Sequence, residues 1–242
     1  MKLIVILVVC AWAGSAVGAP DVVQPVLKPQ DHWTYRTTVE RRPDVWRQTH
    51  TDSAVLRNSG SDVLIRTQEV GSPNPPREQL MGSDWSRFRS VDGRETVVNR
   101  PFAFPLKPGK TWDLQYTDDR PGNTAHKSEK YDTHYRVVGW EDIEVPAGTF
   151  HALKVEADGT WIAEVAPKVS AVVATQASAQ GTTATAQTLK VTAETVTGRI
   201  YKAFWYVPEV KRPVKSVEEY FDTNGARNER FTDELESYQP AP

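Results

Sequence analysis

The chain has 242 residues, with 29 Lys and Arg against 31 Asp and Glu, a formal net charge of −2, 25% charged residues and 39% hydrophobic ones. That near balance excludes the clustered basic surface that nucleic acid selects and the polybasic patch of a membrane-surface protein. The mixture is that of a globular fold and not of a disordered chain.

Met1-Lys2 supplies a positive start, Leu3 to Trp12 is an uninterrupted apolar run, and Gly14, Ser15, Ala16, Gly18 and Ala19 are small. This is the pattern of a Sec-type signal peptide over residues 1–18, with Ala16 and Gly18 as the small residues of the cleavage site. The run is too short to cross a bilayer, which takes about 20 residues, so no membrane span is expected in the mature chain. Cys10 follows Val9 inside the run and does not close it behind a small residue, so lipidation is not expected. Cleavage removes the one cysteine, and with it any disulfide or cysteine metal site. A secreted chain without cysteine fits the bacterial periplasm or exterior. At about 220 residues it can bury roughly 70% of its unfolded surface, enough for a core without staples.

Residues 19–30 carry Pro20, Pro25 and Pro29 and read as an extended arm. A series of period-2 runs rich in β-branched and aromatic residues follows: Trp33 to Val39, Asp62 to Val70, Arg94 to Asn99, Thr111 to Thr117, Tyr131 to Val138, Phe150 to Val155, Ile200 to Val207 and Phe231 to Tyr238. Val214 to Asp222 reads as a further hairpin arm. Asp92-Gly93, Asp158-Gly159 and Asn224-Gly225 are expected to make tight type I′ turns. Pro108-Gly109 and Pro146-Ala147-Gly148 mark others. No sustained helical period occurs. The expected fold is all-β, an antiparallel sandwich or half-open barrel.

Two segments interrupt this plan. Residues 166–197 are rich in Ala, Thr, Val, Ser and Gln, hold no aromatic residue, and carry charge only at Lys168, Lys190 and Glu194. They read as an inserted flexible hairpin or loop. The other is the Pro-rich hinge, residues 101–109. It separates a first β half, 31–100, from a second, 110–240. Leu27 to Thr38 and Leu106 to Thr117 share Leu, Lys, Pro, Trp and a final Thr at a constant offset. Each is a proline turn that aims an indole into the core at a strand entrance, so the halves read as related.

Motifs for chemistry are missing. GxSxG, HExxH, the P-loop and the dinucleotide-binding glycine pattern do not occur, and no cofactor or metal motif replaces them. Asp132-x-His134, with His126 nearby, places an acid and an imidazole on one strand face, where a solvent-facing polar stripe is the plainer reading. Glu141, Asp142 and Glu144 form an acidic knot, and Glu218-Glu219 another, that a glycan hydrolase could use. The surplus is aromatic. Phe204, Trp205 and Tyr206 are consecutive, so alternation turns at least one outward. Together with Trp140 and Trp161 they are the candidate ligand-binding residues, on a sugar or in an apolar cavity.

Three segments, Pro105 to Trp112, Val145 to Val155 with its Pro-Ala-Gly-Thr-Phe turn, and Phe204 to Lys215, resemble uncharacterised bacterial exported β proteins of the domain-of-unknown-function 3108 type. The resemblance covers residues 100–240. It implies an exported β fold and carries over no catalytic residue. Lys211 stands where that family has Gly, and the insert separates strands that the family joins closely. The reading as a whole is a periplasmic or secreted, non-enzymatic β module that binds an apolar or glycan ligand or an envelope partner protein. A carboxylate-dependent glycan hydrolase and a structural assembly factor of the envelope are the alternatives.

Overall fold

The computed structural model describes residues 21–91, 93–177 and 183–242, with side chains described outside 166–193. The segment read as a signal peptide lies outside these residues. Twelve strands follow one another: β1 (His32–Arg41), β2 (Val45–Asn58), β3 (Asp62–Glu69), β4 (Arg77–Gly82), β5 (Arg87–Val91), β6 (Arg94–Asn99), β7 (Thr111–Asp118), β8 (His126–Val145), β9 (Gly148–Ala177), β10 (Thr183–Val207), β11 (Arg212–Phe221) and β12 (Arg227–Gln239). No described residue is helical. All form one antiparallel sheet in the order β6-β5-β4-β3-β2-β1-β12-β11-β10-β9-β8-β7. Each strand lies beside its successor except β6 and β7, which are the two edges. Pairing of β1 with β12 joins the first six strands to the last six, from His32↔Gln239 to Arg41↔Glu229. The sheet thus curls into a nearly closed barrel, the half-open form expected of the sequence.

Alternation decides what faces inward. On β1, Trp33 and Tyr35 are buried, and on β3 so are Val63 and Ile65. Thr37 and Thr67 continue these two inward rows. Among the turns, Gly93 closes a two-residue hairpin between Val91 and Arg94 with φ +73°, while Asp92 lies outside the described residues. The Asn224-Gly225 turn differs from expectation. Only Gly225 has positive φ, and Asp222 Oδ1 accepts from the Asn224 and Ala226 amides, so the loop is a three-residue one with a left-handed glycine. Asp158-Gly159 is no turn at all. It lies inside β9, and Gly159 is there because a Cβ would strike the Asp132 carbonyl of β8 and come within 2.9 Å of Thr133 Cα. The Ala/Thr-rich segment extends β9 and β10 as a two-stranded ladder, Lys168 to Ala177 against Thr183 to Thr192. Residues 178–182, at its tip, lie outside the described residues.

The sequence echo is also a backbone echo. Gln30 and Gly109 both take left-handed φ, +78° and +84°. Asp31 N donates to Lys28 O as Lys110 N does to Lys107 O. Gln30 N and Gly109 N then reach the carbonyls of Val55 and Val137, and the amides of those valines return to the carbonyls of Asp31 and Lys110. One turn thus starts β1 on β2 and β7 on β8. The arm lies across the junction, for Val22 and Leu106 exchange both backbone hydrogen bonds.

The base of the barrel is tied at the turn from β10 to β11, residues 208–211. Trp33 Nε1 donates to Val210 O at 2.9 Å and Trp85 Nε1 to Lys211 O at 2.8 Å. Tyr35 OH donates to Pro213 O at 2.6 Å. Lys211 takes φ +61°. A side chain there is strained relative to glycine, but its Nζ lies 2.7 and 2.9 Å from the carboxylate oxygens of Asp31, which is wholly buried. Burial alone would raise the Asp31 carboxyl. Lys211 and the amides of Ala241 and Lys28 outweigh it and hold the group below the usual aspartate range.

Replacing Lys211 by Met keeps the bulk and leaves Asp31 without its cation. Removal of one partner of such a pair should lower unfolding free energy by about 2–4 kcal/mol at pH 7, read by urea denaturation. A depressed carboxyl stabilises the fold above its unfolded pKa and ceases to as pH falls, so the deficit should shrink on acidification below about pH 4. Equal midpoints for the variant and the parent at pH 7 would show that the pair contributes nothing.

Candidate ligand-binding lumen

The strands leave a lumen with a closed base and an open mouth. Phe102, in the hinge, plugs the base. Its ring is 4.9 Å from Tyr206 and 6.0 Å from Phe204, and Phe104 adds a contact to Tyr206 at 5.4 Å. Above the plug is an inner chamber of about 250 Å³, walled by Ile65, Met81, Trp85, Phe102 and Phe204 and by the hydroxyls of Thr37, Thr51, Ser53, Thr67 and Ser216. A mouth chamber of about 1030 Å³ adjoins it, sharing Gln79, Arg87 and Asn99. The open seam bounds the mouth on one side. There Arg89 of β5 pairs with Asp118 of β7, Trp112 Nε1 donates to Arg100 O at 3.0 Å, and Tyr135 OH donates to Asn99 at 3.2 Å.

Charges sit between the chambers. Glu218 on β11 is 3.0 Å from Lys202 and 3.3 Å from Arg87. Burial would raise its carboxyl, but those two cations, with hydrogen bonds from Lys202 and Tyr220, hold it at about 2. Asp233 on β12 accepts from Thr37 Oγ1 at 2.6 Å and Ser216 Oγ at 3.1 Å. Burial dominates there and pushes the carboxyl up. At the mouth, His126 Nδ1 lies 2.6 Å from Glu129 Oε1, and Tyr131 OH donates to the same carboxylate. Burial and the Glu129 charge push the Tyr131 hydroxyl well up. His126 stacks at 5.8 Å on Trp161. Trp161 lies over Gly198, its cross-strand partner, and donates to Phe221 O at 3.2 Å.

The five aromatics singled out in the sequence are not brought together. Phe204 lines the inner chamber and Trp161 the mouth. Tyr206 is wholly buried in the basal plug. Trp205 takes the opposite phase, as alternation requires, yet is only 9% exposed. Its N–H donates to Glu141 at 2.6 Å and Lys154 lies 5.3 Å from its ring. The expected outward aromatic is therefore covered. Beyond the bulge at Val137/Gly139, the β8–β9 hairpin reaches as far as β12, where Ala147 N donates to Leu235 O. Trp140 stacks on His151 at 5.2 Å, and His151 pairs with Asp142 at 2.7 Å. Glu144 is exposed. Asp132 and His134 do not form a unit. His134 pairs with Asp113 at 2.7 Å and Asp132 accepts from Gln115 at 3.0 Å.

Sequence reading missed Arg87, Lys202, Arg212 and Asp233, and took Glu218 with Glu219 as an acidic pair. A signal for the inward phase existed for three of these charges. Lys202 shares a strand phase with Phe204, Glu218 with Tyr220, and Asp233 with Phe231 and Leu235, which places charges among core residues.

No family model and no curated protein matches the chain. Two solved structures are similar in fold, each at 14% identity and TM-score 0.43, covering 91% of this chain and all of theirs. One is a "putative exported protein with YmcC-like fold" of Bacteroides fragilis and the other a "putative lipoprotein" of Parabacteroides distasonis.

Two substitutions test the lumen's construction. A Cβ at Gly198 would meet the Phe221 carbonyl and lie 2.5 Å from Trp161 Nε1. Gly198→Ala should therefore cost about 1–3 kcal/mol of stability in a thermal melt, whereas Gly122→Ala, with nothing within 4 Å, should cost almost nothing. Glu218→Gln should destabilise at pH 7 by leaving Lys202 and Arg87 uncompensated. Because the wild-type carboxyl is depressed, its contribution is present above the unfolded pKa and lost as pH falls toward about 2. The gap between variant and wild type should close over that interval; a gap independent of pH would refute the assignment.

Proposed function

We propose that this chain is an exported, non-enzymatic β module of the bacterial envelope that holds a small apolar or amphiphilic ligand in its lumen. The lumen carries this reading. It is a chamber that sets the apolar side chains of Ile65, Met81, Trp85, Phe102 and Phe204 against convergent polar groups, beside a wider mouth, a mixture that ligand sites use. Phe204, Trp205 and Tyr206 are all buried, so the run of three offers no exposed platform for a sugar. The outer faces of β1, β11 and β12 are charged, with Arg36 and Lys215 on Glu234 and with Arg227 bridging Glu40 and Glu219. A lipid-facing barrel would present an apolar band there. Release to the periplasm or exterior, without lipidation, rests on the N-terminal segment. Kinship with the 3108-type proteins rests on the three matching segments, Lys211 and the insert being this chain's departures.

Native mass spectrometry of the mature protein, isolated gently from its own host, tests the reading. The expected result is a reproducible added mass that denaturation releases and that Thr51→Trp, which fills the inner chamber, abolishes. A bare mass for the parent protein would overturn it, and an adduct that persists in Thr51→Trp would move the site out of the lumen.

A further inference from the structure

The inner chamber is lined by a cation that makes no ion pair among the described residues. Arg212, the first residue of β11, packs its guanidinium against three aromatic rings, with Cζ 5.0 Å from Trp33, 5.0 Å from Tyr35 and 4.5 Å from Trp85. Its Nε and Nη1 are buried and have no hydrogen-bond partner. Among the described residues it makes no ion pair, for the chamber's carboxylates are engaged elsewhere, Glu218 by Lys202 and Arg87 and Asp233 by two hydroxyls. Nη2 is not among these buried, unbonded atoms, and Arg212, half-buried, lines the cavity.

Taking a guanidinium out of water without an acceptor is costly, and ring faces recover only part of the cost. A carboxylate is the acceptor whose charge and geometry match. Around the inner chamber Arg87 and Arg212 face Glu218 and Asp233, but Glu218 is engaged by Arg87 and Lys202 and Asp233 by the hydroxyls of Thr37 and Ser216. Burial pushes the Asp233 carboxyl up, against the pull of the Arg212 charge. Below the guanidinium the walls are apolar: Ile65, Met81, Phe102 and Phe204.

We infer that the inner chamber takes a small carboxylic acid with an apolar tail, its carboxylate on Arg212 Nη2 and its tail against Phe204, Met81 and Ile65. The inference rests on the lumen being the ligand site and adds the chemistry that the lumen selects.

The test is calorimetric titration of the whole mature protein with octanoate and with 1-octanol, which share a tail and differ in the head. A charge-assisted hydrogen bond in a desolvated chamber predicts a preference for octanoate of about tenfold or more. Arg212→Gln should bring that ratio close to one. Asp233→Asn removes a negative charge that lines the chamber and acts on Arg212, and it should raise the ratio; this variant decides the matter if Arg212→Gln does not fold. Equal binding of the two probes, a preference that survives Arg212→Gln, or a ratio that falls in Asp233→Asn would overturn the carboxylate assignment while leaving the lumen a ligand site. If neither probe binds, the lumen reading fails as well.

Discussion

The tie at the β10–β11 turn is the constraint on which the other features hang. A barrel with one open seam has its halves joined by a single ladder, here β1 on β12, and would hinge there if nothing else held them. Two indoles of the first half donate to carbonyls of the β10–β11 connection in the second, a phenol donates to Pro213 O at the start of β11, and Asp31 captures Lys211 beside them. These bonds are short and aimed by large rigid side chains, so they fix the position of the second half as well as its attachment. Arg212 follows Lys211 in the chain. Its place over Trp33, Tyr35 and Trp85 is a consequence of the same knot.

Inward and outward charges follow different rules in this molecule. On the outer wall, acids and bases alternate in exposed or half-exposed pairs, which contribute little singly and suit solubility. Within the lumen, one carboxylate answers two cations, another is held by hydroxyls, and one guanidinium is left to aromatic faces. Such an arrangement is poor for stability. It is well suited to a chamber whose polarity has to match something that is not part of the chain.

Much of the fold was legible because period-2 alternation survives in most strands. β6 spans the residues read for it, and β1, β3, β7 and β12 differ only at their ends. β2, β4 and β5 were not legible. Their sequences, such as Arg-Gln-Thr-His-Thr-Asp in β2 and Arg-Glu-Gln-Leu in β4, lack an apolar row because one face is solvent and the other a polar lumen. Asp158-Gly159 misled for a related reason, since glycine serves close strand approach as readily as a turn. The site was least visible. Phe204 and Trp161, singled out in the sequence, line the two chambers, but Arg212 falls next to Lys211 at a strand entrance, where no periodicity separates a lumen group from a loop group. Only the convergence of β1, the β4–β5 connection and β11 in space shows what surrounds it.

Curling the sheet until β6 and β7 face each other has a consequence for assembly. Strand edges are templates for further strands, and here the two terminal edges are shielded by Arg89 with Asp118 and by the Trp112 indole. The exception is the ladder of β9 and β10 beyond Val165, which pairs with neither β8 nor β11 and runs for about 40 Å at ~3.4 Å per residue. Unspent backbone hydrogen-bonding capacity is therefore concentrated in one appendage instead of being spread around the wall, and the barrel's solubility and its capacity to add strands are properties of different parts of the chain.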